Sequence, residues 1–167
     1  MNNTKKITYV FLQGRKQRIN SGKKISKEFF YTYFYAVKNY TNVEIVEMEN
    51  FEPSISQKFL RKLDSFINKL SKLPIYTYAI FKRKNLKIFK QSDFVILSND
   101  RVAFSSLPMI WLTKISNPNV SFSFFVMGLF SNFPKYRIQT FLRNILIKMM
   151  LKKVDKIFFL GKKEYIF

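Results

Sequence analysis

A chain of 167 residues that is 47% hydrophobic can bury one ordinary core, so a single domain is expected. It contains neither cysteine nor histidine, which removes disulfides, thiolate nucleophiles, the usual zinc ligand sets and imidazole acid–base chemistry together. Its 30 Lys and Arg against 10 Asp and Glu leave a net charge of +20, suited to phosphates or anionic lipid, although the lysine-rich bias of AT-rich coding also spreads such charge without purpose.

The residues up to Lys6 resemble a charged leader. The apolar run behind them, residues 7–12, is too short for the core of a signal peptide and is followed by Gly14 and Arg15, so it reads as a strand of a cytoplasmic protein. A loop through Gln13, Gly14 and Arg15 leads past Ser21 and Gly22 to a helix near Ser26 that contains Lys27, Glu28, Phe29, Phe30 and Tyr31. A second short β-rich run covers residues 43–46. Ser54 and Gln57, behind Pro53, make a capping-box pattern for a helix over residues 55–70. Its Phe59, Leu60, Leu63, Phe66, Ile67 and Leu70 form one apolar stripe expected to pack on the sheet, so that Leu63→Ala would cost about 2–5 kcal/mol. Lys58, Arg61, Lys62 and Lys69 occupy much of the rest.

No acidic residue occurs from Ser65 to Ser92, and within that stretch residues 75–90 mix large apolar and aromatic side chains with Lys82, Arg83, Lys84, Lys87 and Lys90. This is the composition of a helix lying in an anionic interface, with those five cations facing the membrane. An amphipathic helix that covers the sheet with a solvated basic face also fits it. Residues 94–97 form the next strand, which ends in Ser98, Asn99 and Asp100, where Asn99 or Asp100 can cap the helix that follows. Residues 115–134 carry no charge, but Asn117, Pro118, Asn119, Gly128 and Asn132 make a poor bilayer span, and a buried strand over residues 120–126 with its flanking loops fits better. That strand runs into Met127 and Gly128. A helix over about residues 134–153 has Pro134 in its first turn and Ile138, Phe141, Leu142, Ile145, Leu146 and Met149 on one face. A last strand, residues 157–160, is closed by Gly161, and the remaining residues read as the first turns of another helix, so the chain is expected to end inside a βα unit.

Strands alternating with helices imply an α/β fold built on an open parallel sheet flanked by helices, as one domain over residues 1–167. Ligands of such sheets bind beyond the carboxyl ends of the strands, so the loops just after each strand carry the candidate site. Gly14 in the first of them would allow close approach of a ligand or would simply turn the chain. The closely spaced glycines of a dinucleotide fingerprint are absent, and there is no Walker P-loop.

Taken in order and spacing, Leu12-Gln13-Gly14-Arg15, Ser21-Gly22 with Lys27 to Tyr31, Leu97-Ser98-Asn99-Asp100, Val126-Met127-Gly128-Leu129-Phe130 and the stretch from Val154 to Gly161 resemble the N-terminal domain of GT-B glycosyltransferases, in particular those like family 4. The resemblance covers nearly the whole chain. It implies a Rossmann-like, acceptor-side domain of an enzyme that transfers a sugar from a nucleotide-sugar donor, often to a lipid-linked or polysaccharide acceptor at the inner membrane face. The donor is held in that family mainly by a second Rossmann-like domain. This chain is therefore expected to be the acceptor-binding half, truncated before its partner domain or encoded apart from it, and inactive alone.

On that reading the cleft is lined by Gly14, Ser21, Gly22, Lys27, Glu28, Asn99, Asp100, Met127 and Gly128. Amides near Gly14 and Gly128 would approach acceptor or donor phosphates, Glu28, Asn99 and Asp100 would hydrogen-bond sugar hydroxyls, and Lys27 would offset phosphate charge. No catalytic residue, metal or resident cofactor is assigned; a nucleotide-sugar donor is expected for the complete enzyme. The family's donor site carries two glutamates separated by seven residues, and Glu44 and Glu52 stand at that spacing here. Glu44 falls in the second strand, in the wrong half of such a fold, so the match is read as accidental. The expected partners are a sugar or lipid-linked acceptor, an anionic membrane surface and a donor-binding domain, in a cytoplasmic protein peripheral at the inner membrane face.

Two other readings stay open. A basic nucleic-acid-binding module would use Lys interleaved with aromatics, as in Phe29-Phe30-Tyr31 or Tyr76-Thr77-Tyr78, but no recognised nucleic-acid motif occurs and most aromatics fall where a core is needed. A phosphate-binding α/β domain of another kind, such as a flavodoxin-like fold, is the third.

Overall fold

A computed structural model describes residues 3–21, 30, 32–49, 54–129 and 134–159. Five parallel strands, β1 (Asn3–Leu12), β2 (Tyr40–Met48), β3 (Phe94–Leu97), β4 (Ser121–Val126) and β5 (Lys156–Phe159), form one open sheet in the order β2-β1-β3-β4-β5. The connections hold α1 (Arg15–Asn20) and α2 (Tyr33–Asn39), α3 (Ile55–Ser71), a 3-10 turn (Thr77–Ala79), α4 (Arg83–Lys90), α5 (Asp100–Ser116) and α6 (Arg137–Leu151). The chain is thus the single-domain, Rossmann-like α/β sheet that the alternation of strands and helices implied. The helix expected near Ser26 and the turns expected after residue 160 lie outside the described residues.

The larger core lies between the sheet and α3 to α6. Val95, Leu97, Phe122 and Phe124 from the central strands meet Phe89 of α4 and Val102, Phe104 and Ile110 of α5, all essentially without solvent exposure. On the other face Ile7, Tyr9 and Phe11 of β1 pack with Ala36 of α2 and with Phe30, which precedes that helix. Register places Phe125 of β4 and Phe158 of β5 on that second face as well, where their rings stack at 5.0 Å. Parallel strands covered on both sides explain why β1, β3 and β4 read as nearly continuous apolar runs.

The amino ends of the strands are tied by aspartates. Asp93, one residue before β3, accepts a hydrogen bond from the Lys6 N–H at 2.7 Å, and Asp155, one residue before β5, accepts one from the Phe122 N–H at 2.7 Å while holding Lys114 Nζ at 3.0 Å. Each supplies an acceptor to a neighbouring strand where the backbone ladder does not. They stand at the opposite end of the sheet from the strand-end loops.

The stripe on α3 departs from expectation. Phe59, Leu63 and Phe66 are 69%, 43% and 61% exposed, so Leu63 is not the core leucine that its spacing implied. The inward side of α3 is polar instead, because it organises the backbone that follows. Asp64 Oδ2 accepts from the Tyr78 N–H at 3.0 Å, Ser71 Oγ accepts from the Leu73 N–H at 3.2 Å, and Asn68 grips Ile75 twice, donating to its carbonyl at 2.7 Å and accepting from its N–H at 2.8 Å. Ile67 adds apolar contact with the core from the middle of that side, and Leu60 and Leu70 are half-buried. On α6 the expected face is split: Ile138, Phe141 and Ile145 are exposed, Leu146 and Met149 pack on the core beside Ile147, and Arg143 and Met150 are buried.

Burial raises the Asp64 carboxyl above its ordinary value, and hydrogen bonds from Tyr78 and Thr77 oppose the rise. A folded pKa above the unfolded one means that this group's contribution to stability is fully present below the ordinary carboxylate range and is lost as pH rises through the raised value. Relative to Asp64→Asn, the wild type should therefore gain stability between about pH 7 and about pH 4, as read from urea midpoints. Parallel curves for the two proteins would contradict the assignment.

Residues 75–90 are likewise corrected. They form the 3-10 turn and the short α4, not one interfacial helix, and their apolar side chains Ile75, Ile80, Ile88 and Phe89 belong to the core. Lys82 pairs with Glu49, Lys90 is half-buried, and Arg83, Lys84 and Lys87 are left as a solvated basic face.

Candidate binding cleft

From β1 the chain crosses to β2 on one side, and β3 pairs with β1 on the other, so the loops after β1 and β3 diverge. Crevices open at such a point. Here a cleft of about 580 Å³ lies beyond the carboxyl ends of β1, β3 and β4. Its floor is Leu12 with Asn99, Asp100 and Arg101 after β3 and Met127, Gly128 and Leu129 after β4; its rim is Asn68 and Lys72 from the end of α3 with Leu73, Pro74 and Tyr76. A second cleft of about 540 Å³ on the β2 side shares Leu12, Tyr76 and Arg101 and adds Gln13, Met48 and Tyr78. The Arg101 guanidinium lies 5.1 Å from the Tyr76 ring centroid, and both residues line both spaces.

Three devices shape the first cleft. Asn99 caps α5, its side chain accepting from the Val102 N–H at 2.9 Å, which leaves the amino end of a 17-residue helix directed at the cleft. Asp100 is buried, and its Oδ2 accepts from the Met127 N–H at 3.0 Å, fastening the loop after β4 to the start of α5. Arg143, buried on α6, donates to the Leu129 carbonyl and, at 3.2 Å, to the Lys72 carbonyl. Burial pulls the Arg143 guanidinium below its ordinary pKa, and the nearby Asp100 carboxylate pushes it back up.

The sequence-derived residues divide accordingly. Asn99, Asp100, Met127 and Gly128 come together in the cleft. Gly128 takes φ 114°, a backbone value that a side chain would strain. Gly14 does not line it: with φ 86° it stands at the start of α1, and a Cβ there would meet nothing within 4 Å, so the positive φ of the turn is what calls for glycine within the fold. Ser21 closes α1, its hydroxyl donating to the Arg18 carbonyl at 2.8 Å, and is likewise outside the cleft. Gly22, Lys27 and Glu28 lie outside the described residues. Composition and spacing did not disclose Arg101, Tyr76, Lys72 or Arg143. For Arg143 a signal existed, since it shares a helical face with Leu146, Ile147 and Met150 and is the one cation at an inward position.

The polar groups that line the cleft are the α5 amides, the exposed Arg101 and Lys72, and the side-chain amides of Asn68, which also pairs with Ile75, and Asn99, which caps α5. That set holds an anion bearing hydrogen-bonding groups, such as a sugar phosphate. Asp100 is the carboxylate in the lining, and its bond to Met127 engages it in the framework. Among the described residues, no group of three or more Asp and Glu converges as metal ligands would. No protein-family model, no curated protein and no solved structure matches the chain. Function has to be argued from the cleft itself.

Aromatics offered for base stacking are placed differently from one another. Phe30 is fully buried in the second core, while Tyr76 and Tyr78 are half-buried, with Arg101 and Arg61 over their rings at 5.1 and 5.7 Å. Phe29 and Tyr31 lie outside the described residues. Among the described residues no helix is long and apolar enough to cross a membrane.

Proposed function

We propose that the chain is the acceptor-binding domain of a nucleotide-sugar-dependent glycosyltransferase of the GT-B type, acting in cell-surface glycan or glycolipid synthesis on the cytoplasmic side of a membrane. The observation that supports it best is the cleft at the sheet's switch point, where the α5 amino end, Arg101 and Lys72 surround a space suited to a phosphorylated or lipid-linked sugar. Asn99 and Asn68 offer hydrogen bonds to hydroxyls, and Arg101 and Lys72 offset phosphate charge. The donor belongs to a second domain, in the same enzyme or a separate chain.

Calorimetry tests this. The isolated chain should transfer no sugar and bind UDP-glucose weakly, because the donor site lies elsewhere. Tight UDP-glucose binding by this chain alone would overturn the division of labour. The strand order β2-β1-β3-β4-β5 also favours a second reading, since it is the order of flavodoxin-like sheets. Tight binding of FMN in the same experiment would select that reading.

A further inference from the structure

Two apolar stripes on the layer formed by α3 and α6 take no part in the core. Phe59 and Phe66 on α3 and Phe141 on α6 are each more than half exposed, and aliphatic residues continue both stripes at helical spacing. The helices touch: Gln139 Nε2 donates to the Lys69 carbonyl at 3.4 Å, and Arg143 reaches the Lys72 carbonyl. Charge around the stripes has one sign. Lys62 and Lys69 stand within a helical turn of Phe66, Arg137 stands one turn before Phe141, and the carboxylate that these helices carry, Asp64, is buried.

That combination discriminates among occupants. A second copy of the chain would set like charge against like. Nucleic acid would use the cations but gain nothing from Ile55, Leu63 or Ile138, whose side chains neither stack nor hydrogen-bond. A bilayer of anionic lipid takes both, with hydrocarbon for the stripes and phosphate for their rims. We infer that the α3–α6 face docks on an anionic lipid surface, with Phe59, Phe66 and Phe141 entering the headgroup boundary. Because Asn68 in the last turn of α3 and Lys72 just after it line the cleft, docking brings the cleft mouth to the membrane. The inference stands whatever the cleft binds.

Vesicle flotation decides it, using the full chain with phosphatidylcholine vesicles that contain or lack about one-third phosphatidylserine. The wild type should bind the anionic vesicles, bind neutral ones at least about tenfold more weakly, and release as salt approaches ~0.5 M. The variant F59S/F66S/F141S should lose binding by more than about tenfold at low salt while keeping the wild-type melting temperature, because these side chains are solvent-exposed in the fold. Changing Lys82, Arg83, Lys84, Lys87 and Lys90 on the α4 side to Gln should weaken binding less than that variant does. Failure of the wild type to bind anionic vesicles, equal binding by the phenylalanine variant, or equal binding to neutral vesicles would overturn the assignment. Retention on heparin that is indifferent to the phenylalanines, without vesicle binding, would show a purely electrostatic surface and also overturn it.

Discussion

Replacing Arg143 with methionine should cost about 2–5 kcal/mol of folding free energy, because two carbonyls each lose a charged donor at about 1–3 kcal/mol. Methionine keeps much of the volume but cannot donate to the Leu129 and Lys72 carbonyls, and it removes a positive charge from the neighbourhood of the buried Asp100 carboxylate. The loss should be local as well as global. Hydrogen exchange of the Met127 and Leu129 amides should accelerate more than that of β3, because Arg143 and Asp100 both fasten the loop after β4. A urea midpoint within error of wild type would mean that Arg143 is solvated and that the cleft has no such support.

Phe89→Ala should cost a similar amount, about 3–5 kcal/mol, as expected for deleting a fully buried phenylalanine. The ring lies 5.9 Å from that of Phe122 at the centre of the larger core. This variant separates the two expectations for residues 75–90. If the segment lay in a membrane interface, Phe89 would be exposed in solution and its removal would leave the denaturation midpoint nearly unchanged; in the core it cannot.

The strands were legible because parallel strands in this sheet are buried on both faces, and Ile7 to Leu12, Phe94 to Leu97 and Phe122 to Val126 show that as mainly apolar runs interrupted only by Thr8 and Ser123. The capping pattern was legible in part: the Ser54 N–H does donate to Gln57 Oε1 at 3.0 Å, and α3 starts at Ile55 as expected. What failed was the assumption that an apolar stripe faces inward. On α3 that side is held by Asp64, Asn68 and Ser71, whose value lies in the backbone groups of residues 73–78 that they pair, and on α6 it includes Arg143, whose partners lie in the loop after β4 and at the end of α3. Periodicity registers the apolar residues but not the polar partners that chain folding brings to a helix. The cleft was half legible for a related reason. Asn99, Asp100, Met127 and Gly128 follow strands directly, so topology alone points to them, whereas Tyr76 and Lys72 reach the cleft from a connection between α3 and α4 whose path no local pattern specifies.

The same distinction limits what glycine announced. Gly14 and Gly128 both adopt positive φ after a strand, yet only Gly128 borders the cleft. A turn requirement accounts for the first without any ligand.

The central claim is that the space beyond β1, β3 and β4 receives a phosphorylated acceptor. An amide NMR titration of the isotope-labelled chain with a soluble short-prenyl phosphate-linked sugar tests it most directly, with UDP-glucose and FMN titrated in parallel. Shift changes should concentrate on Asn99 to Val102 and Met127 to Leu129, saturate at lower concentration for the acceptor analogue than for UDP-glucose, and diminish in Arg101→Gln. Changes scattered over the basic face of α4, or none at all in the cleft at saturating acceptor analogue, would contradict the account.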